Sequence, residues 1–149
     1  MLIGLGLFCY LVYWLFKPFQ GDIRYGFCKV FLEQNVEYPT YLELYGLEYK
    51  TDIKTKKTFV RIWYLLTDSY GQRRFDNIDC YDGNDEKRGF FIEKIIMGKQ
   101  EVEAEKVALF NQSLKTILDN PPDLTYPVPL WDALGKMNIE TYLFRKPVL

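Results

Sequence analysis

The sequence contains no histidine. That removes the commonest general base, the commonest metal ligand and every Ser-His or Cys-His mechanism. An excess of one charge is also missing, since 19 basic and 20 acidic residues leave a net charge of −1. Such a balance exerts no long-range pull on nucleic acid or anionic lipid, so no nucleic-acid partner is expected. The one basic cluster is Lys50, Lys54, Lys56 and Lys57, and it reads as a solvated loop. Glycine-rich phosphate loops are absent, and Ser69 and Ser113 have no base to activate them. The acids Asp76, Asp79, Asp82, Asp85 and Glu86 do not follow the spacing of a helix-loop-helix calcium site. They read as a solvated strand end. No catalytic residue, metal ligand or cofactor is assigned, and the chain is expected not to be an enzyme.

Cysteine is scarce, with 3 residues. Cys9 sits in an apolar run, which leaves Cys28 and Cys80. Two thiols without histidine and without close spacing make a poor zinc site. They are either a disulfide or two buried thiols, and a disulfide is expected. Closing a loop of about 52 residues would stabilise the fold by ~4 kcal/mol in the chain-entropy picture. Such a bridge persists only in oxidising compartments, which places the domain outside the cytoplasm.

What is abundant is apolar and aromatic. Hydrophobic residues make up 48% and aromatic ones 17%, with 12 Tyr and 11 Phe. The longest apolar run opens the chain. Counted through Phe19 it covers about 18 residues, or ~27 Å of helix, against a hydrocarbon core of ~30 Å. Tyr10, Tyr13 and Trp14 crowd one end, and Lys17 follows them. Residues 1–19 are therefore expected to be a transmembrane anchor in contact with the lipid bilayer. A cleaved signal and a buried core helix are the competing readings, but no basic residue precedes the run and no small-residue cut site follows it. The positive-inside rule, from Lys17, Arg24 and Lys29, keeps the rest in the cytoplasm. The cysteines say the opposite and are followed: inner (cytoplasmic) membrane, single pass, soluble domain periplasmic.

Residues 20–120 read as one α+β domain. Asp22 suits an N-cap for a helix from Ile23 or Arg24 to about Val36, carrying Phe27, Cys28 and Phe31 on its core side. The proline of Tyr38-Pro39-Thr40 ends it. Three strands follow, at 41–50, 58–67 and 72–82. Alternation slips at Gly46, which suggests a bulge. In the second strand Phe59, Arg61, Trp63 and Leu65 share one face while Val60, Ile62, Tyr64 and Leu66 share the other, as in a central strand. A meander with the Cys28 helix across it would bring the two sulfurs together. Residues 82–88 read as a polar loop around Gly83-Asn84, and 90–97 as a fourth strand or a helix start. A second amphipathic helix is expected over about 99–118, with Val107, Phe110, Leu114 and Ile117 as its stripe. The expected architecture is thus a transmembrane helix, a helix packed on a three- to four-stranded antiparallel sheet, a second helix and an extended arm.

Several of these residues carry a resemblance. Cys28-Lys29-Val30-Phe31, Pro39-Thr40, Asp68-Ser69-Tyr70-Gly71 and Ile78-Asp79-Cys80 resemble a family of small exported bacterial envelope proteins. That family has a Cys-Lys-x-Phe helix start, a proline turn and a hairpin ending in aromatic-Gly and apolar-x-Cys. The match spans Cys28 to Cys80, with Ile78 where the family has an aromatic. The resemblance implies an extracytoplasmic helix-on-sheet module and no activity.

The last stretch, 121–149, changes character. Pro121, Pro122, Pro127, Pro129 and Pro147 forbid long regular elements, yet the segment is rich in apolar residues. It reads as an extended arm that grips a partner or wraps its own domain. The partner-binding candidates are Tyr126, Pro127, Leu130, Trp131, Tyr142 and Phe144. The function expected is a non-catalytic, membrane-anchored accessory or structural subunit of a larger bacterial envelope assembly, such as a secretion-type machine. Its partners would be other membrane or envelope proteins of one complex. The alternatives are an accessory subunit of a respiratory or other energy-converting complex and, less well supported, an exported enzyme or small-ligand binder.

Overall fold

The computed structural model describes residues 2–17 and 20–125. Of these, residues 2–17, Gln20 and Thr125 belong to one unit, and Gly21–Leu124 form the other.

The first unit is led by a helix, α1 (Leu2–Phe16), of 15 residues. No helix among the described residues is long and apolar enough to cross a membrane. This corrects the transmembrane anchor and, with it, the single-pass placement in the inner membrane. At 1.5 Å per residue α1 is ~22 Å long, well short of a ~30 Å hydrocarbon core. The longer count from sequence ran through Pro18. A residue preceding proline avoids helical geometry, so Lys17 is already a bend outside the helix. Beyond it, Gln20 and Thr125 form an isolated antiparallel bridge.

The body is an α+β layer pair. Helix α2 (Ile23–Asn35) begins where the sequence predicts, with Asp22 Oδ1 accepting from the Tyr25 N–H at 3.1 Å. A 3-10 turn at Pro39–Tyr41 leads into the sheet. Five antiparallel strands follow in sequence order: β1 (Leu42–Thr51), β2 (Thr58–Thr67), β3 (Arg73–Asp85), β4 (Gly89–Met97) and β5 (Gln100–Glu101). Helix α3 (Ala104–Asp119) closes the body.

Both body helices lie on one face of the sheet. Val60, Ile62 and Tyr64 of β2 look toward them with Ile78 and Cys80 of β3 and Ile95 of β4, and all are buried. From above come Phe27, Phe31 and Leu32 of α2 and Val107, Phe110 and Leu114 of α3. Phe31 meets Phe110 edge-on with ring centroids 5.1 Å apart, and Phe27 stacks on Phe90 at 5.3 Å.

Two register slips tune this layer. Leu44 pairs with Tyr64 and Gly46 with Trp63, which leaves Tyr45 as an extra residue in β1. A Cβ on Gly46 would lie 2.9 Å from Trp63 Cδ1, so glycine is required beside that ring. In β4, Lys94 pairs with Tyr81 and Ile92 with Asp82, which leaves Glu93 extra. That bulge turns both Ile92 and Ile95 toward the helices although they are three positions apart.

Three features differ from the sequence reading. Residues 82–85 are strand rather than loop. Gly83 is there because a Cβ would come within 2.6 Å of Phe91 Cζ, so the glycine marks a close approach and not a turn. The turn comes later and ends on Gly89, at φ +68°. The segment after Met97 begins as a hairpin rather than as helix. Gly98 and Lys99 both have positive φ, at 58° and 67°, which suits a two-residue turn into β5. Finally, residues 121–124 belong to the body. The Gly21 N–H donates to the Leu124 carbonyl at 2.9 Å, and Lys29 Nζ donates to the Asp123 carbonyl at 2.9 Å. Gly26 makes room for Leu124, since a Cβ there would lie 2.7 Å from Leu124 Cδ2.

Candidate functional site

Cys28 and Cys80 are joined in a disulfide, with Cα atoms 5.9 Å apart. Cys28 lies on the core side of α2. Cys80 lies on the helix-facing side of β3 because it shares parity with Ile78. The bond fastens the helix layer to the sheet at the centre of the core, where both residues are buried. A bond so placed braces the fold and is screened from thiols in solution.

A polar cluster surrounds the start of α2. The Tyr49 hydroxyl accepts from the Asp22 N–H at 3.0 Å and donates to Asp22 Oδ1 at 3.1 Å. Arg24 Nε donates to Asp22 Oδ2 at 2.6 Å, and its guanidinium lies 5.1 Å from the centre of the Tyr49 ring. Arg24 also reaches toward Asp82 Oδ2 at 3.9 Å, and that oxygen accepts from Thr58 Oγ1 at 2.9 Å. Burial raises the Tyr49 hydroxyl above its ordinary value. Partial burial works against the charge on Arg24, but its hydrogen bond to Asp22 and the nearby carboxylates outweigh this and raise it. These contacts tie the helix start to β1, β2 and β3. The Asp22 carboxylate and the Tyr49 hydroxyl are both engaged within the protein, so the cluster reads as an anchor for α2.

The opposite sheet face is covered by neither α2 nor α3. At its centre Arg61 makes a two-pronged pair with Asp79, Nε to Oδ1 at 2.6 Å and Nη2 to Oδ2 at 2.6 Å. Asn77 Nδ2 also donates to Asp79 Oδ1, at 3.0 Å. The Asp79 hydrogen bonds hold the Arg61 guanidinium above its ordinary value. The guanidinium lies 5.5 Å from the ring centres of both Phe59 and Trp63. Those rings are themselves stacked across strands, Phe59 on Tyr81 at 4.7 Å and Trp63 on Phe75 at 5.7 Å. Asp79 is only 4% exposed. This corrects its assignment to a solvated strand end: the β2–β3 register places it opposite Arg61, and the pair is half-buried between aromatic rings. An arginine inside an otherwise apolar strand was the signal in the sequence. Only the pairing register names its partner.

The largest group of exposed apolar side chains among the described residues lies on α1. Leu5, Leu7, Phe8, Leu11, Trp14 and Leu15 are between 48% and 66% exposed, and Cys9 is an exposed free thiol. The partner-binding candidates Tyr126, Pro127, Leu130, Trp131, Tyr142 and Phe144 lie outside the described residues. Among the described residues no group of three or more Cys, Asp or Glu side chains is placed to hold a metal ion.

The body thus defines a class: a disulfide-braced α+β module, two helices on one face of an antiparallel meander. Comparison with family models, curated proteins and solved structures returned no match to the chain.

Proposed function

We propose that the protein is a non-catalytic accessory or structural subunit of a larger bacterial envelope assembly, and that it acts through protein–protein contacts in an oxidising, exported compartment. The observation that carries this reading is the surface of α1. Nine large apolar side chains on that helix are exposed. At roughly 100 Å² each, their combined surface exceeds the few hundred Å² that a soluble monomer ordinarily leaves open. A surface of that size is stable only when something covers it. The buried disulfide supports the oxidising compartment. The strongest polar pairs of the body, Asp22 with Arg24 and Tyr49 and Arg61 with Asp79, engage one another, which suits bracing better than turnover. The family resemblance over Cys28 to Cys80 points the same way.

Native co-purification of the tagged full chain tests the proposal, with mass spectrometry of what comes along. A defined set of envelope proteins should co-purify in fixed ratio, and Leu7→Gln with Leu11→Gln should release them while the body still melts cooperatively. Substituting Trp131 and Phe144 asks whether the expected arm contributes. A chain that purifies alone and monomeric, at every extraction condition that keeps the body folded, would refute it.

A further inference from the structure

The turn between β1 and β2 puts a lysine in the left-handed region, as the β4–β5 turn does at Lys99, but it has no glycine beside it. Gly71, Gly89 and Gly98, together with Lys99, take the left-handed positions of the other hairpin turns. Here Lys56 does so, at φ +58°, although glycine would adopt that conformation without strain. Ile53, a β-branched residue at a position where turns favour small or polar ones, is 85% exposed at the tip. The turn is nevertheless firmly built. Asp52 Oδ1 accepts from the Lys54 N–H at 2.8 Å and the Thr55 N–H at 3.3 Å. The Lys56 N–H donates to the Asp52 carbonyl at 2.8 Å, and the Asp52 N–H to the Lys57 carbonyl at 2.8 Å. Those backbone donors hold the Asp52 carboxyl below its ordinary range, so it stays ionised as a turn-maker.

The lysines around this turn divide into two sets. Lys50 pairs with Glu48, Lys57 with Glu93, and Lys94 lies 4.6 Å from the centre of the Tyr81 ring. Lys54 and Lys56 have no carboxylate partner among the described residues. A rigid turn therefore presents one aliphatic side chain followed by two cations on flexible stems, with the Asp52 carboxylate engaged by the backbone N–H groups of Lys54 and Thr55.

From this juxtaposition we propose that the 52–57 turn docks on an anionic phospholipid surface, with Lys54 and Lys56 at the headgroup phosphates and Ile53 dipping beneath them. The contact is peripheral and crosses nothing. A protein partner fits this tip less well. A specific protein contact needs several buried anchors and a complementary shape, whereas the tip offers a single apolar point. A fluid layer, charged outside and apolar within, matches that order of groups and needs no fixed pocket. The chain's overall net charge of −1 does not oppose this, because screening beyond ~8 Å leaves the local charges to decide, and at the turn Lys54 and Lys56 outnumber Asp52. The inference is independent of the assembly reading.

The test uses the full chain with Cys9→Ser and Ile53→Cys, the new thiol carrying an environment-sensitive fluorophore. On vesicles of 30% phosphatidylglycerol in phosphatidylcholine the emission should shift blue and brighten. On pure phosphatidylcholine, or with anionic vesicles in high salt, it should not. In unlabelled protein, Lys54→Ala with Lys56→Gly should lower partition into the anionic vesicles about 30-fold, the equivalent of about 1 kcal/mol per lysine. The same variant should melt no lower than the parent, because glycine relieves the left-handed residue. No shift on anionic vesicles, an equal shift on neutral ones, or unchanged partition of the double variant would overturn the proposal.

Discussion

Replacing Cys28 and Cys80 together by alanine removes one covalent bond and two buried sulfur atoms while keeping the backbone. The loop it closes is 52 residues long by sequence separation. In the chain-entropy treatment a loop of about that length is worth ~4 kcal/mol at 25 °C, within the 2–5 kcal/mol usual for native bridges in small domains. Whole domains are stable by only ~5–15 kcal/mol, so this is a large share. For a body of this size each kcal/mol moves the melting temperature by roughly 4–8 °C, so the double variant should melt roughly 15–30 °C lower. Circular dichroism melts of the double variant against the parent and against Cys9→Ser make the measurement, and Cys9→Ser should leave the body unchanged. Burial adds a kinetic corollary: reductant should cleave the bond in the native protein only as fast as the core opens. A double variant melting within about 5 °C of the parent would refute the reasoning. So would rapid reduction under native conditions.

Asp79→Ala should destabilise the body by about 3 kcal/mol in a denaturant titration, because it strands a half-buried Arg61. Replacing both partners with apolar residues of similar size should recover most of that loss. Asn111 fills the outer edge of β4, its Oδ1 accepting from the Ile92 N–H and its Nδ2 donating to the Ile92 carbonyl, each at 2.8 Å. Asn111→Ala leaves both backbone groups short of a partner, so unfolding should cost about 2 kcal/mol less, with hydrogen exchange at Ile92 accelerated. Gly46→Ala and Gly83→Ala should each lower stability by about 1–3 kcal/mol, since the Trp63 and Phe91 rings must shift. At high pH the buried Tyr64 hydroxyl matters. Burial pushes it up to about 12 from an ordinary value of 10.0. Its contribution is therefore fully present below pH 10 and is lost as pH rises toward about 12, because the unfolded chain releases that proton first. Melts from pH 9 to 12 should show this fall, and Tyr64→Phe should flatten part of it.

Much of the body was legible in the amino-acid order because its signals are local. Asp22 before an apolar period of 3.6 specifies α2, the two-sided run around Ile62 specifies a central strand, and Pro39 ends the helix before it. The disulfide followed from these, since a helix laid across a meander has one face to offer Cys80. The bulge at Gly46 was readable from broken alternation. Other features were not readable, because they are properties of pairs distant in sequence. Gly83 looks like a turn until the Phe91 ring is seen against it. Asp79 looks solvated until register sets it opposite Arg61. The length of α1 turns on Pro18, whose effect on Lys17 outweighs an apolar count running straight through it. Local chemistry chooses the elements. Which side chains share a register, and how closely two backbones approach, is decided only when the layers pack.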